Sequence, residues 1–114
     1  MDDLGKWGEV MDGRANLVFC TPEKLLQSSR FQQGINRLYR EGRIRRFVID
    51  EAHCVSQWGH DFRDTYTQLG WIRRNCQGVG ITACTATATD VVAEDVKKIL
   101  LIPNAVTFKT GLDR

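Results

Sequence analysis

Several absences narrow the reading of these 114 residues before any motif is considered. Only two prolines and two histidines occur. The four cysteines, Cys20, Cys54, Cys76 and Cys84, form no Cys-x-x-Cys pair. A zinc module or a disulfide scaffold is therefore not expected, and a reducing intracellular compartment is. No long apolar run is present, and the opening residues carry Asp2, Asp3, Lys6 and Glu9. They make neither a secretory leader nor a membrane span, so no membrane partner is expected. Also missing is a Gly-x-x-x-x-Gly-Lys-[Ser/Thr] phosphate loop, for Gly5-Lys6 is followed by Trp7.

Charge of one sign is scarce as well. The net charge of +2 is too mild to argue for nucleic acid by itself, and no basic run reads as a nuclear-import signal. Arg37, Arg40, Arg43, Arg45 and Arg46 do lie close together, with Arg73 and Arg74 further on. Such a cluster can meet phosphates, yet it also suits a solvated helix face. At 42% hydrophobic and 26% charged, the composition is that of an ordinary globular domain or part of one.

What is present alternates between strand and helix. Residues 1–15 have no sustained period and read as a poorly specified lead-in. Leu17-Val18-Phe19-Cys20 predicts a buried strand, ending at Thr21-Pro22-Glu23, where Thr21 can cap a helix and Pro22 suits its first turn. Cys20 and Cys84 fall in or at the ends of apolar runs, where a thiol behaves as a small hydrophobe. Phe31, Ile35, Leu38 and Tyr39 share one helical face, and Gly42 ends that helix. Phe47-Val48-Ile49 predicts a buried strand delivering Asp50 and Glu51 at its carboxyl end. Tyr66, Leu69 and Ile72 give a short helix to about Asn75, and 79–85 give a third strand. Val92, Val96, Ile99 and Leu100 form another helical stripe, with Thr89 or Asp90 as its cap and Pro103 beyond it. Ala105 to Lys109 predicts a fourth strand. Strand, helix and strand in this order build parallel sheets, so the fold class is α/β.

In open α/β sheets ligands bind outside the carboxyl ends of the strands. Paired acids there suit a hydrated metal ion and a water awaiting attack on phosphate. Taken alone, Asp50-Glu51 reads as a solvated strand end. A metal site built from His53, His60, Asp50 and Asp61 has competent ligands, but their spacing matches none of the usual zinc patterns.

The longer string is more informative. Asp50-Glu51-Ala52-His53, continued by Gln57-Trp58-Gly59-His60-Asp61-Phe62-Arg63, resembles the signature of RecQ-type DNA helicases. Thr21-Pro22-Glu23 resembles the motif by which these enzymes touch the DNA backbone, and Thr85-Ala86-Thr87 resembles their Thr-Ala-Thr motif. Both phrases also serve as plain helix starts.

The resemblance implies a partial RecA-like sheet flanked by helices over 16–114, part of a helicase ATP-binding domain lacking the P-loop strand. It implies an ATP-dependent 3′ to 5′ DNA helicase of repair and recombination, nuclear if eukaryotic and otherwise cytoplasmic. Its partners would be single-stranded and forked DNA, and its cofactors ATP and Mg²⁺. Asp50 would hold Mg²⁺ through water, Glu51 would activate the attacking water, and His53 would relay the state of the nucleotide site. Thr21, Gln57, Trp58, His60, Phe62, Arg63, Thr85 and Thr87 would contact DNA or couple it to hydrolysis. Two departures stand out: Asp64 where proline usually follows the arginine, and Cys84 where leucine is usual.

A phosphate cradle and a second motor domain are not among these residues, so little activity is expected of them alone. The other reading is a non-catalytic remnant with weak nucleic-acid or partner binding. Without the P-loop strand between the third and fourth strands, two sheet edges would lack partners. The isolated chain is then expected to be marginal or aggregation-prone.

Overall fold

The computed structural model describes residues 8–10, 12, 17–59, 61–86 and 89–108. Its spine is a parallel pair, β1 (Arg46–Ile49) and β2 (Gly80–Ala83), with Phe47 opposite Ile81 and Ile49 opposite Ala83. Between the strands run two 3₁₀ helices, Ala52–Val55 and Asp64–Leu69, and the short helix α3 (Gly70–Asn75). Ahead of β1 lie α1 (Pro22–Gln27) and α2 (Ser29–Arg40), and after β2 comes α4 (Asp90–Ile99). The class is α/β, a partial RecA-like arrangement with helices flanking a parallel sheet.

Local chemistry accounts for where these elements start and stop. The Thr21 hydroxyl accepts from the Lys24 N–H at 3.1 Å, and Pro22 occupies the first turn, where its missing N–H has no role. Ser28 caps α2 through the Phe31 N–H at 3.2 Å, and Thr89 caps α4 through the Val92 N–H at 3.2 Å. Gly42, at φ 72°, lets the chain leave α2 through the left-handed region, and the Arg43 N–H closes back on the Leu38 carbonyl at 2.9 Å.

The core lies where α4 meets the two 3₁₀ helices, centred on Val55, Leu69, Val96 and Leu100, with Leu25 of α1 and Phe31 of α2 at its margin. Val92, Val96 and Leu100 make the buried stripe of α4, as their spacing requires. The basic cluster is a solvated face: Glu41 pairs with Arg37 at 3.1 Å and with Arg43 at 3.4 Å, at exposed positions. Arg46 instead reaches across the sheet to Thr82 Oγ1 at 2.7 Å. It does so over Gly80, where a Cβ would stand 3.0 Å from the guanidinium carbon.

Three expectations need correction. Leu17–Cys20 is not a strand, and its side chains are exposed, Phe19 by 88%. Residues 105–108 form none either, with Phe108 91% exposed, while Lys109 falls outside the described residues. In both cases the apolar composition favours a strand, but neither segment forms ladder hydrogen bonds with the edge that β1 or β2 leaves unpaired. Among the described residues the sheet therefore has two strands, and one of its faces is open at Val48, which is 61% exposed although Ile49 is buried. The two cysteines read as small hydrophobes, Cys20 and Cys84, are exposed, while Cys54 and Cys76 are buried.

Packing of this kind separates positions by their cost. Leu100→Ala, at a site 1% exposed, is expected to lower unfolding free energy by ~2–5 kcal/mol. Phe108→Ser is expected to change it by less than ~0.5 kcal/mol. Urea unfolding followed by tryptophan fluorescence reads both, and a matching loss at Phe108 would mean that 105–108 packs into the core.

Candidate functional site

The parallel ladder does not stop with the strands. The Cys84 N–H donates to the Ile49 carbonyl at 2.8 Å, and the Ala52 N–H donates to the Cys84 carbonyl at 2.9 Å. This ties the turn after β1 to the turn after β2, so the Asp50-Glu51-Ala52-His53 segment and Thr85 leave the sheet side by side. Asp50 is exposed, and its Oδ1 accepts from the Glu51 N–H at 2.9 Å. Glu51 sits in the left-handed region at φ 54°, ψ 41°, a conformation uncommon for a residue with a Cβ. That turn carries the chain from β1 into the first 3₁₀ helix, which buries Ala52, His53, Cys54 and Val55 in succession.

Among the described residues of the expected site, His53 is the one buried side chain, at 6% exposure. Its Nδ1 lies 2.6 Å from Thr85 Oγ1, and its Nε2 lies 3.2 Å from Asp61 Oδ2. Glu51 Oε1 stands 3.6 Å from Nδ1. One imidazole thus links its own acidic turn to two other stretches of chain, at Asp61 and Thr85.

The loop that follows is pinned at its base and open at its tip. The Arg63 N–H donates to the Cys54 carbonyl at 2.8 Å, closing the loop. Buried Ser56 accepts the Trp58 N–H on its hydroxyl at 3.1 Å, and the Gly59 N–H on its carbonyl at 3.1 Å. A Cβ on Gly59 would stand 3.0 Å from the His53 carbonyl oxygen, so the loop passes close over the 3₁₀ helix and a side chain there would have to push that carbonyl aside. Beyond these anchors, Gln57 is exposed and the Trp58 indole is 74% exposed. The Arg63 guanidinium lies 3.6 Å from Glu23 Oε2 and 5.6 Å from the Tyr66 ring centroid, within cation–π range.

Glu51, His53, Cys54, Asp61, Phe62, Arg63 and Tyr66 line an open depression of about 520 Å³. Its rim combines acceptors, one imidazole, one guanidinium and two aromatic rings. Asp50 is not among the lining residues, and Thr21 stands apart as the cap of α1. His60 and Thr87 lie outside the described residues. Asp61, weighed above only as a metal ligand, bonds His53 instead; among the described residues no group of three or more His, Cys, Asp or Glu side chains is placed to hold a metal ion. Sequence reasoning missed Glu23 and Tyr66 as partners of Arg63. Tyr66 follows Arg63 by one 3₁₀ turn, a spacing that could have signalled it, whereas nothing in the sequence links Arg63 to Glu23.

A model of the DEAD/DEAH box helicase family matches residues 2–96. The chain belongs to that family. Among relatives of this DEAD/DEAH segment, the ATP-dependent DNA helicase Q1 of Rattus norvegicus is 40% identical over 108 residues, 93% of this chain and 17% of that protein. The ATP-dependent DNA helicase Q-like 4B of Arabidopsis thaliana is 44% identical over 98 residues, 86% of this chain and 8% of that protein. ATP-dependent helicase SGS1 of Saccharomyces cerevisiae is 38% identical over 104 residues, 91% of this chain and 7% of that protein. These relatives bear out the resemblance to RecQ-type helicases, and the chain spans no more than about a sixth of their length. No helix among the described residues is long and apolar enough to cross a membrane.

Electrostatics at the depression give a test that needs no ligand. Burial pushes the Cys54 thiol up from its ordinary value; the Asp61 and Glu51 carboxylates push the same way, against Arg63. Burial also pushes the Cys76 thiol up. Because the thiolate is the reactive form, Cys54 and Cys76 are expected to alkylate at least ~10-fold more slowly than exposed Cys84 at neutral pH. Timed iodoacetamide labelling with peptide mass spectrometry measures this, and equal rates would mean that the 3₁₀ segment opens readily.

Proposed function

We propose that these residues are the water-activating and DNA-responsive part of the first motor domain of an ATP-dependent 3′ to 5′ DNA helicase acting in DNA repair and recombination. The observation that supports this reading best is the pair of contacts made by His53. They couple the acidic turn, where hydrolysis would occur, to the Thr85 turn on one side and to the Trp58 loop on the other. A merely solvated strand end would need neither contact.

Glu51 orients the attacking water, its carboxylate lining the depression beside His53. The exposed carboxylate of Asp50 is a hard oxygen donor of the kind Mg²⁺ takes alongside water and phosphate oxygens, so the residues present fit the ion. When bound, Mg²⁺ neutralises charge on the β- and γ-phosphates of ATP. Asp50 would hold it, while its own Oδ1 accepts from the Glu51 N–H. A Gly-Lys-[Ser/Thr] cradle for those phosphates is not among the 114 residues, so ATP affinity belongs chiefly to other parts of a complete motor.

On the DNA side the ligand is single-stranded or forked DNA. Trp58 and Phe62 offer rings for base stacking, and Arg63 offers a planar cation to phosphate. Gln57 and His60 complete the loop, Thr21 and its helix start follow the sugar-phosphate backbone, and Thr85 with Thr87 transmits movement between the turns. Work on chromosomal DNA would place a eukaryotic bearer of this segment in the nucleus.

Exposure of the indole makes the reading testable in a complete motor carrying this segment. Trp58→Ala is expected to remove ~1–3 kcal/mol of base stacking and to lower DNA-stimulated ATP turnover far more than DNA-free turnover. Steady-state ATPase assays with and without single-stranded DNA measure the two rates. Equal losses in both would assign Trp58 to packing alone and remove the loop from DNA sensing.

A further inference from the structure

The His53 ring receives two different kinds of partner. At Nε2 it meets Asp61, a carboxylate that accepts hydrogen bonds and donates none when ionised, at 3.2 Å. That nitrogen must then carry a proton. In the neutral ring Nδ1 is left as an acceptor, and the hydroxyl 2.6 Å away on Thr85 becomes the donor. Glu51 Oε1, 3.6 Å from Nδ1, consequently receives no hydrogen bond from the ring. With the proton on Nδ1 instead, the ring would draw on Thr85 and Glu51 together, and the Thr85 hydroxyl would turn its hydrogen elsewhere.

We infer that Asp61 is a positioning residue, fixing which nitrogen of His53 is protonated and thereby the direction of the Thr85 hydrogen bond and the availability of the Glu51 carboxylate. It touches no reacting atom and acts through the imidazole. Its own side chain is 56% exposed while the His53 side chain is 7% exposed, so the contact sits at the boundary between solvent and core. Asp61 belongs to the loop closed by Arg63 and Cys54, three residues from Trp58. Movement of that loop changes the Asp61 contact without opening the core. The inference rests on the reading of this segment as part of a DNA-stimulated ATPase, and it supplies an atomic link between the loop and the acidic turn.

The test uses a complete motor carrying this segment, with Asp61→Ala, Thr85→Val and the double variant, alongside Asp61→Glu and Thr85→Ser. DNA-stimulated ATP turnover and the ring ¹⁵N shifts of His53 are measured in each. Each of the first two variants is expected to lose about 10-fold in turnover. The double variant is expected to lose about the same 10-fold rather than the ~100-fold of independent sites, because both act on one ring. Asp61→Glu and Thr85→Ser, which keep the carboxylate and the hydroxyl, recover most of the loss. The ¹⁵N shifts place the ring proton on Nε2 in the unaltered protein and move it toward Nδ1 in Asp61→Ala. Losses that multiply, or a proton that stays on Nε2 without Asp61, overturn the inference. Should alanine prevent folding, Asp61→Leu keeps comparable bulk and offers no acceptor to Nε2; a proton that stays on Nε2 there is equally fatal. A motor whose turnover DNA does not stimulate overturns the functional reading instead, and the ring shifts still decide the tautomer.

Discussion

The backbone ladder between Ile49 and Cys84 is the constraint on which the other contacts depend. Parallel strands cannot be joined by a tight hairpin, so β1 and β2 are brought together by the whole connection from 50 to 79. That connection packs against the core between the two strands. Once they pair, the two hydrogen bonds beyond the last ladder residues, Cys84 to Ile49 and Ala52 to Cys84, fix the two exits against each other. A shift of one residue in register would turn Ile49 away from the core and carry Thr85 away from His53.

Around that junction the chemistry is arranged in layers of exposure. Asp50 and Glu51 stand in solvent, His53 lies beneath them, and Val55 with Leu100 fills the space below, both no more than 1% exposed. The imidazole is the point where water-facing and buried groups meet. Because its two nitrogens face different stretches of chain, a change on the loop side is felt at the Thr85 side without a change in the core. Trp58 and Phe62, on a loop whose base is pinned and whose tip is not, are free to answer a ligand while the acids stay where the ladder holds them.

Much of this was legible in the sequence, and the parts that were not share a cause. Caps at Thr21 and Thr89, the exit at Gly42 and the stripe Val92, Val96 and Leu100 depend on neighbours within a few residues, so local rules found them. The acidic turn followed from a β-branched run ending in carboxylates. Leu17–Cys20 and 105–108 were misread because apolar composition states a preference for burial, while a strand also needs ladder hydrogen bonds to a neighbour, which neither segment makes with β1 or β2. Cys20 and Cys84 were misread for a similar reason: each falls in or at the end of an apolar run yet is exposed, while Cys54 lies inside a 3₁₀ turn that faces the core. Asp61 on His53 and Glu23 beside Arg63 are products of loop closure, which no spacing rule reports.

The left-handed turn at Glu51 sets two demands against each other. Glycine takes φ 54°, ψ 41° at no steric cost, whereas a residue with a side chain gives up on the order of 1 kcal/mol there. The proposed water activation calls for a carboxylate at the one position of the turn where the main chain would be most at ease without any side chain. Drift toward a calmer fold at this site is therefore drift toward silence, and the two can be separated only by changes that leave residue 51 alone.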